Sequence, residues 1–202
     1  MSLLLTIGPE YRGGMFLYHN AEKSADLFEK MILSKIECET IKLRGSNSTA
    51  TNIVSTITEL SKRNDLKRIF IYYSGHGDHC GNKEHWQTSS GNVDQIKMAQ
   101  LINNLKPLVV VISDSCSSEH MINTKFATHP YVSIGATKDY EDAMMTGDGG
   151  LFTLFMKECF DELDSNFTFI DLVDKLQSKK IEVEHFSILS SDVSLLNEKF
   201  FN

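Results

Sequence analysis

Proline is scarce in this chain of 202 residues, which has 3 prolines and 12 glycines and no tract of either that would form a flexible linker. One domain spanning 1–202 is the expectation, a length ample for one core and short for two. No apolar run approaches the ~18 residues of a membrane span, so no membrane partner is expected. The opening stretch Met1-Ser2-Leu3-Leu4-Leu5-Thr6-Ile7-Gly8-Pro9 lacks a basic leader and a small-residue cleavage site, and predicts a first strand rather than a signal peptide. Basic clusters are missing as well. Lysine and arginine total 20 against 27 aspartates and glutamates, a formal net charge of −7, and the cations are scattered. That excludes the basic surface nucleic acid requires, and suits a cationic substrate better. The 4 cysteines, Cys38, Cys80, Cys116 and Cys159, fit no zinc spacing and point to a reducing, cytoplasmic setting. No G-x-G-x-x-G or Walker loop follows the first strand, which argues against a nucleotide- or flavin-binding protein. No cofactor is expected.

What is present is an alternation of strand-like and helix-like segments. Leu3 to Ile7 predicts a strand, and Ala21 to Leu33 a helix with Ala21, Ala25, Leu27, Phe28, Met31 and Ile32 at helical spacing. Glu37 to Leu43 alternates as a strand. Ser48 and Thr49 can cap a helix carrying Ile53, Val54, Ile57 and Leu60. A strand ending near His76 follows, then a polar loop from Asp78 to Asn92, a helix from Gln95 to Leu105 and a strand ending near Cys116. Beyond these lie a strand from Tyr131 to Ala136, an acidic, glycine-bearing loop from Lys138 to Gly150, helices from Leu151 to Leu163 and Phe169 to Leu176, and a last strand from Phe186 to Leu189. Such alternation predicts an α/β fold, a mostly parallel sheet covered on both faces. Ligands in such sheets bind beyond the carboxyl ends of the strands.

Two strand ends carry the chemistry. Ile69-Phe70-Ile71-Tyr72-Tyr73-Ser74-Gly75-His76-Gly77 closes on a histidine between glycines, and Val109-Val110-Val111-Ile112-Ser113-Asp114-Ser115-Cys116 on a cysteine. Singly, each has a plain structural reading: a small core residue and a turn whose glycines serve positive φ. On neighbouring parallel strands they would bring a thiol and an imidazole together. The imidazole can take the thiol proton, and the thiolate is the nucleophile. The amides of Gly77 and Cys116 can serve an oxyanion. Ser74 and Asp114, each two residues earlier, share a strand face with His76 and Cys116 respectively. His79, Cys80 and His85 share one loop but lack a fourth ligand, so no metal is expected. The acidic run Asp139, Glu141, Asp142 and Asp148 reads first as a solvated loop, although its place beyond a strand end would also suit a cleft wall lined by Met144 and Met145.

Tyr72-Tyr73-Ser74-Gly75-His76-Gly77 and Asp114-Ser115-Cys116 resemble the two signatures of the caspase-like cysteine peptidases of metacaspase type, Y-x-S-G-H-G and D-S-C-H-S-G. The resemblance extends over Leu17 to Phe28, Ser48 to Ser61, Asp148-Gly149-Gly150-Leu151-Phe152-Thr153 and His185 to Ser191. It implies a caspase-like three-layer α/β/α sandwich with a mostly parallel six-stranded sheet and an endopeptidase acting on protein or peptide substrates. His76 would be the base, Cys116 the nucleophile, and Gly77 with Cys116 the oxyanion donors. It further implies that Ser74 and Asp114 help bind an arginine or lysine before the scissile bond.

The sequence departs from that pattern at three places. His19-Asn20-Ala21 stands where the family has N-D-A, so a pocket carboxylate is absent, with Glu10, Glu141 or Asp142 as possible substitutes. Ser117-Ser118-Glu119 replaces H-S-G, a change expected to narrow the site or stiffen its loop. The aspartate-rich calcium loop of many eukaryotic metacaspases has no counterpart between Asp78 and Asn92, so calcium activation is not implied. Ser117 to Pro130 leaves no room for a long excisable linker. These departures sustain an alternative, a catalytically silent caspase-like interaction module. Monomer and homodimer both remain open.

Overall fold

Strands that are apolar on both sides must be covered on both sides, and the helices do this. The computed structural model describes residues 1–11, 20–80, 83–122, 125–179 and 185–201, with the backbone alone at 79 and 80. In chain order the elements are β1 (Ser2–Pro9), α1 (Asn20–Lys35), β2 (Glu39–Gly45), α2 (Ala50–Leu60), β3 (Arg68–Ser74), β4 (Gly77–Cys80), β5 (Lys83–Gln87) and β6 (Asn92–Asp94). There follow α3 (Gln95–Ile102), β7 (Leu108–Asp114), β8 (Tyr131–Gly135), β9 (Met145–Thr146), β10 (Gly149–Gly150), α4 (Leu151–Glu162), α5 (Phe169–Gln177) and β11 (Ser187–Ser190). The central sheet has six strands in the order β11-β8-β7-β3-β1-β2. Every pair is parallel except β11 with β8.

The period-2 alternation of each strand sends successive residues to opposite layers. Leu3, Ile71, Tyr73 and Val111 pack with Ile53 and Ile57 of α2 and Met98 of α3. Leu4, Phe70, Tyr72 and Val110 pack instead with Phe28 of α1, Phe152 of α4 and Leu172 of α5. This is the three-layer α/β/α sandwich the sequence predicts. Thr49, one of the two anticipated caps, accepts the Asn52 amide at 3.1 Å. Among the described residues no helix is long and apolar enough to cross a membrane.

The expected loop from Asp78 to Asn92 is largely a three-stranded antiparallel sheet, β4-β5-β6. Its strands are short and mostly polar, and the buried Trp86 is the one large apolar side chain in β5, so periodicity had little to register. Trp86 stacks on Tyr73 at 4.5 Å and donates to Ser113 Oγ at 3.2 Å, which fixes this small sheet over β3 and β7. The stretch from Lys138 to Gly150 is likewise not all loop, since it contains the β9–β10 hairpin. Other boundaries differ from expectation by a few residues, as fraying ends do.

At the opposite end of the sheet Arg68, 3% exposed, donates to the carbonyls of Lys199 at 2.6 Å and Phe200 at 2.5 Å. Phe200 lies among Phe70, Phe160, Phe167 and Phe169 with ring centroids 5.1 to 5.4 Å apart. Truncating it leaves a cavity that several rigid rings cannot fill. Phe200→Ala is expected to cost about 3–5 kcal/mol in denaturant unfolding; a loss within experimental error would show that the segment does not anchor the helical layer.

Candidate active site

Both motif strands end at the same level. β3 and β7 are neighbours in register from Arg68 opposite Leu108 to Ser74 opposite Asp114. The Gly75 amide donates to the Asp114 carbonyl at 3.2 Å, which carries the pairing one step past the strands. His76 and Cys116 follow directly and line one narrow cleft, together with Tyr11, Ala21, Gly75, Asp114, Ala143 and Met145. The two reactive groups and Asp114 are thus brought together. Ser74 lies fully buried beside them, opposite Asp114, and is not part of the cleft wall.

The backbone of His76 is held firmly. Its amide donates to the Tyr11 hydroxyl at 2.7 Å and its carbonyl accepts the Gln87 amide at 2.9 Å. The Tyr73 hydroxyl lies 2.7 Å from that same carbonyl. Tyr11 also sets its ring 4.5 Å from the imidazole, at a tilt of 57°. Burial pushes Tyr11 up to about 12 and Tyr73 well above its ordinary value, so both are neutral hydrogen-bonding groups at working pH. Tyr11 is a residue that motif reasoning missed. Its signal was positional, because it follows β1, the neighbour of β3 in the sheet.

The glycines are set by contacts within the chain. A Cβ at Gly77 would lie 2.1 Å from the Cys116 carbonyl oxygen, so Gly77 permits the two strand ends to touch. A Cβ at Gly75 would meet the Tyr11 hydroxyl at 2.3 Å. Cys116 is followed by Ser117, a non-glycine residue at φ 46°. That bend is supported on both sides. The Ser117 amide donates to the Glu141 carbonyl at 3.0 Å, and the Thr137 amide donates to Ser118 Oγ at 3.2 Å. Ser117 and Ser118 are both buried, so this part of the Ser117-Ser118-Glu119 departure packs inside the protein.

The Cys116 sulfur accepts the Ala143 amide at 3.3 Å. Burial raises the thiol pKa, the Ala143 amide opposes this, and the nearby Asp142 carboxylate raises it further. Burial lowers the His76 pKa. The resting pair is therefore a neutral thiol with a neutral imidazole.

Asp114 has a second attachment. It is 1% exposed, and its Oδ2 accepts the Thr153 hydroxyl and lies 3.4 Å from the Tyr72 hydroxyl. The Thr153 amide also favours its ionised form. Gly150, the N-cap of α4, has no side chain to offer, and a Cβ there would fall 2.0 Å from Asp114 Oδ2. Asp114 thus occupies the capping position of α4 from another part of the chain. Its Oδ1 makes no hydrogen bond among the described residues. Burial is the largest influence and pushes the carboxyl up to about 6.

The sites proposed for a compensating carboxylate differ. Asn20 donates to the Thr146 carbonyl at 2.7 Å and ties α1 to the β9–β10 hairpin. Glu10 lies against Gly45, and Glu141 pairs with His185 Nδ1 at 2.7 Å; neither lines the cleft. Asp142 is the acidic residue beside the thiol. Met145 is on the cleft wall, whereas Met144 is exposed. The side chains of His79 and Cys80 lie outside the described residues.

The caspase domain family of peptidases matches residues 2–191 of the chain. Among solved structures the chain is similar to the crystal structure of a Geobacter sulfurreducens protein, a structural-genomics target. Their identity is 15%, the TM-score is 0.81, and the match covers 100% of this chain and 98% of that one. That likeness concerns the fold. Among curated proteins none matches this chain.

Asp114 has a consequence for stability. With an ordinary pKa of 3.8 and a folded value of about 6, the folded state holds the proton longer than the unfolded one. Stability therefore falls as pH rises from about 4 to about 6 and is level above, an ionisation cost of about 3 kcal/mol. Asp114→Asn removes that ionisation and alters the Thr153 contacts at every pH. The stability difference between variant and parent should shift in the variant's favour by about 2–3 kcal/mol between pH 4 and pH 7. Equal differences at both pH values, from urea unfolding, would show that Asp114 carries no such burial cost.

Proposed function

The chain belongs to the caspase domain family, and from that premise we propose that it is a cysteine endopeptidase of metacaspase type that cuts after arginine or lysine. The observation that carries the reading is the cleft itself, where Cys116 and His76 stand over a buried carboxylate whose Oδ1 has no hydrogen-bond partner among the described residues. A guanidinium or ammonium entering there would supply the missing donor and a charge-assisted contact. Such a contact contributes roughly 1.5–3 kcal/mol, enough to set preference by about tenfold or more. With Asn20 where the resemblance places a second carboxylate, Asp114 carries this attraction.

In the reaction proposed, His76 takes the Cys116 proton as Sγ attacks the scissile carbonyl carbon. The oxygen gains the negative charge and is met by the amides of Gly77 and Cys116, each such donor being worth ~3 kcal/mol. His76 then gives its proton to the departing amine, leaving an acyl-enzyme. Water, deprotonated by the same imidazole, attacks the thioester and regenerates the thiol. Because the resting pair is neutral, the base must act during attack rather than before it. The three described free cysteines, Cys38, Cys116 and Cys159, fit the reducing, cytoplasmic setting proposed for this chain.

A catalytically silent module is the second reading, and the closed cleft favours it. Its volume is about 40 Å³, room for water and well short of a pocket that holds a side chain. Peptidyl-chloromethylketone labelling separates the two, since it requires both an open cleft and a nucleophilic sulfur.

Kinetics on matched fluorogenic peptides differing only before the scissile bond test the proposal. Cys116→Ala should abolish cleavage and His76→Ala remove nearly all of it, with folding retained. Arginine and lysine peptides should be favoured over aspartate by about tenfold or more. Asp114→Asn should erase that preference while sparing neutral peptides, and the parent's preference should fade as pH drops below about 6, where Asp114 protonates. Activity surviving in a folded Cys116→Ala protein would sink the mechanism, and a preference for aspartate would place the pocket elsewhere.

A further inference from the structure

A group of ionisable side chains lies outside the cleft. Glu84 of β5, His120 four residues after Cys116, and Asp139 beyond β8 each offer one ligating atom, and these atoms lie within 4.8 Å of one another. His120 Nδ1 is 2.9 Å from Asp139 Oδ1 and 3.7 Å from Glu84 Oε1. A tetrahedral ion held at the usual 2.0–2.1 Å separates its ligand atoms by about 3.3 Å, and the two distances straddle that value. Glu119 is at hand as a fourth donor, with Oε2 4.0 Å from the same nitrogen.

A plainer account would make His120–Asp139 a surface ion pair beside an incidental glutamate. Glu84 argues against it. Its side chain is 7% exposed, neither carboxylate oxygen has a hydrogen-bond partner of normal geometry among the described residues, and burial together with the facing Asp139 carboxylate pushes its pKa up to about 10. A buried carboxylate left this way is costly, and here a second carboxylate faces it. A proton on Glu84 would ease the second conflict, and a cation between the two carboxylates eases both. His120 and Asp139 are about two-fifths exposed, so an ion has an entry path from solvent.

We propose that Glu84, His120 and Asp139 form a binding site for a borderline divalent transition ion of the zinc class. The imidazole decides the class, since calcium and magnesium take oxygen ligands while a nitrogen with two carboxylates suits zinc or its neighbours. His120 would ligate through Nδ1 as the neutral tautomer protonated on Nε2, giving up its hydrogen bond to Asp139. The ion would tie together three segments around the cleft: the small sheet whose Gln87 holds the His76 carbonyl, the loop after Cys116, and the strand-end loop that brings Ala143 to the sulfur.

The test uses the full chain carrying Cys116→Ser, so that the thiol contributes nothing, stripped with chelator and titrated with zinc chloride by calorimetry. One equivalent should bind saturably and raise the melting temperature. His120→Ala, at a half-exposed position, and Glu84→Gln, of nearly equal shape, should each weaken binding by at least about tenfold and remove the thermal shift. Calcium chloride should bind at least about tenfold more weakly than zinc. Absence of saturable zinc binding, equal affinity in both variants, or tighter binding of calcium would each overturn the site. None of these readouts depends on peptidase activity.

Discussion

The register of β3 against β7 is the constraint on which the rest of the site depends. Because Ser74 pairs with Asp114, the two strands finish level, and the residues that follow meet instead of passing each other. A slip of one residue would turn Asp114 to the opposite face and withdraw it from α4. The contact continues past the strands in the Gly75 amide and in the approach of Gly77 to the Cys116 carbonyl. Glycine at 77 is thus required by the chain's own backbone.

Asp114 links that register to the helical layer. It caps α4 through Thr153 and faces Gly150, so strand end and helix start are locked by one carboxylate. The cap is bought with burial, which raises the pKa and makes the ionised form unfavourable. A neutral residue would relieve that cost, yet only a carboxylate leaves a negative oxygen at the cleft wall. A structural role is satisfied by Oδ2 alone. The unpartnered Oδ1 has no structural purpose in the described residues and is the atom that speaks for a ligand.

How much was legible follows from how each signal is made. The parallel sheet and its helices announced themselves through long apolar runs and helical spacing, and His76 and Cys116 through their places at strand ends. The sheet β4-β5-β6 was hidden because its strands are short and, among the described side chains, bury only Glu84, Trp86 and Val93. Tyr11 was hidden because its partners are 62 residues away at Tyr73 and 76 away at Gln87, distances that only strand order can close. The cluster of Glu84, His120 and Asp139 has no sequence spacing at all, being assembled from three separate loops and strands. The acidic stretch after β8 read as solvated, and this was only partly so: Asp139 and Glu141 each meet a histidine, while Asp142 reaches the thiol.

The cleft is too small for the side chain proposed to enter it, and its walls indicate what has to give. Gly75, Asp114 and Cys116 belong to the strand ends and cannot move without breaking the register. Met145 is different, since it sits on a two-residue strand held to α1 by the Asn20 amide at Thr146. Tyr11 lies beyond the end of β1, tied by its hydroxyl to Tyr73 and Gln87. Widening the cleft by moving Tyr11 would disturb the contact that holds the His76 amide. Movement of the β9–β10 side leaves the base in place, at the cost of three side-chain hydrogen bonds to α1, those of Asn20 to Thr146, Lys23 to Gly147 and the Gly150 amide to Ser24. The same side carries Ala143, whose amide would leave the sulfur as the wall withdraws. For the endopeptidase proposed, opening on that side would clear the pocket and free the nucleophile in one motion, whereas a silent module would keep the closed arrangement.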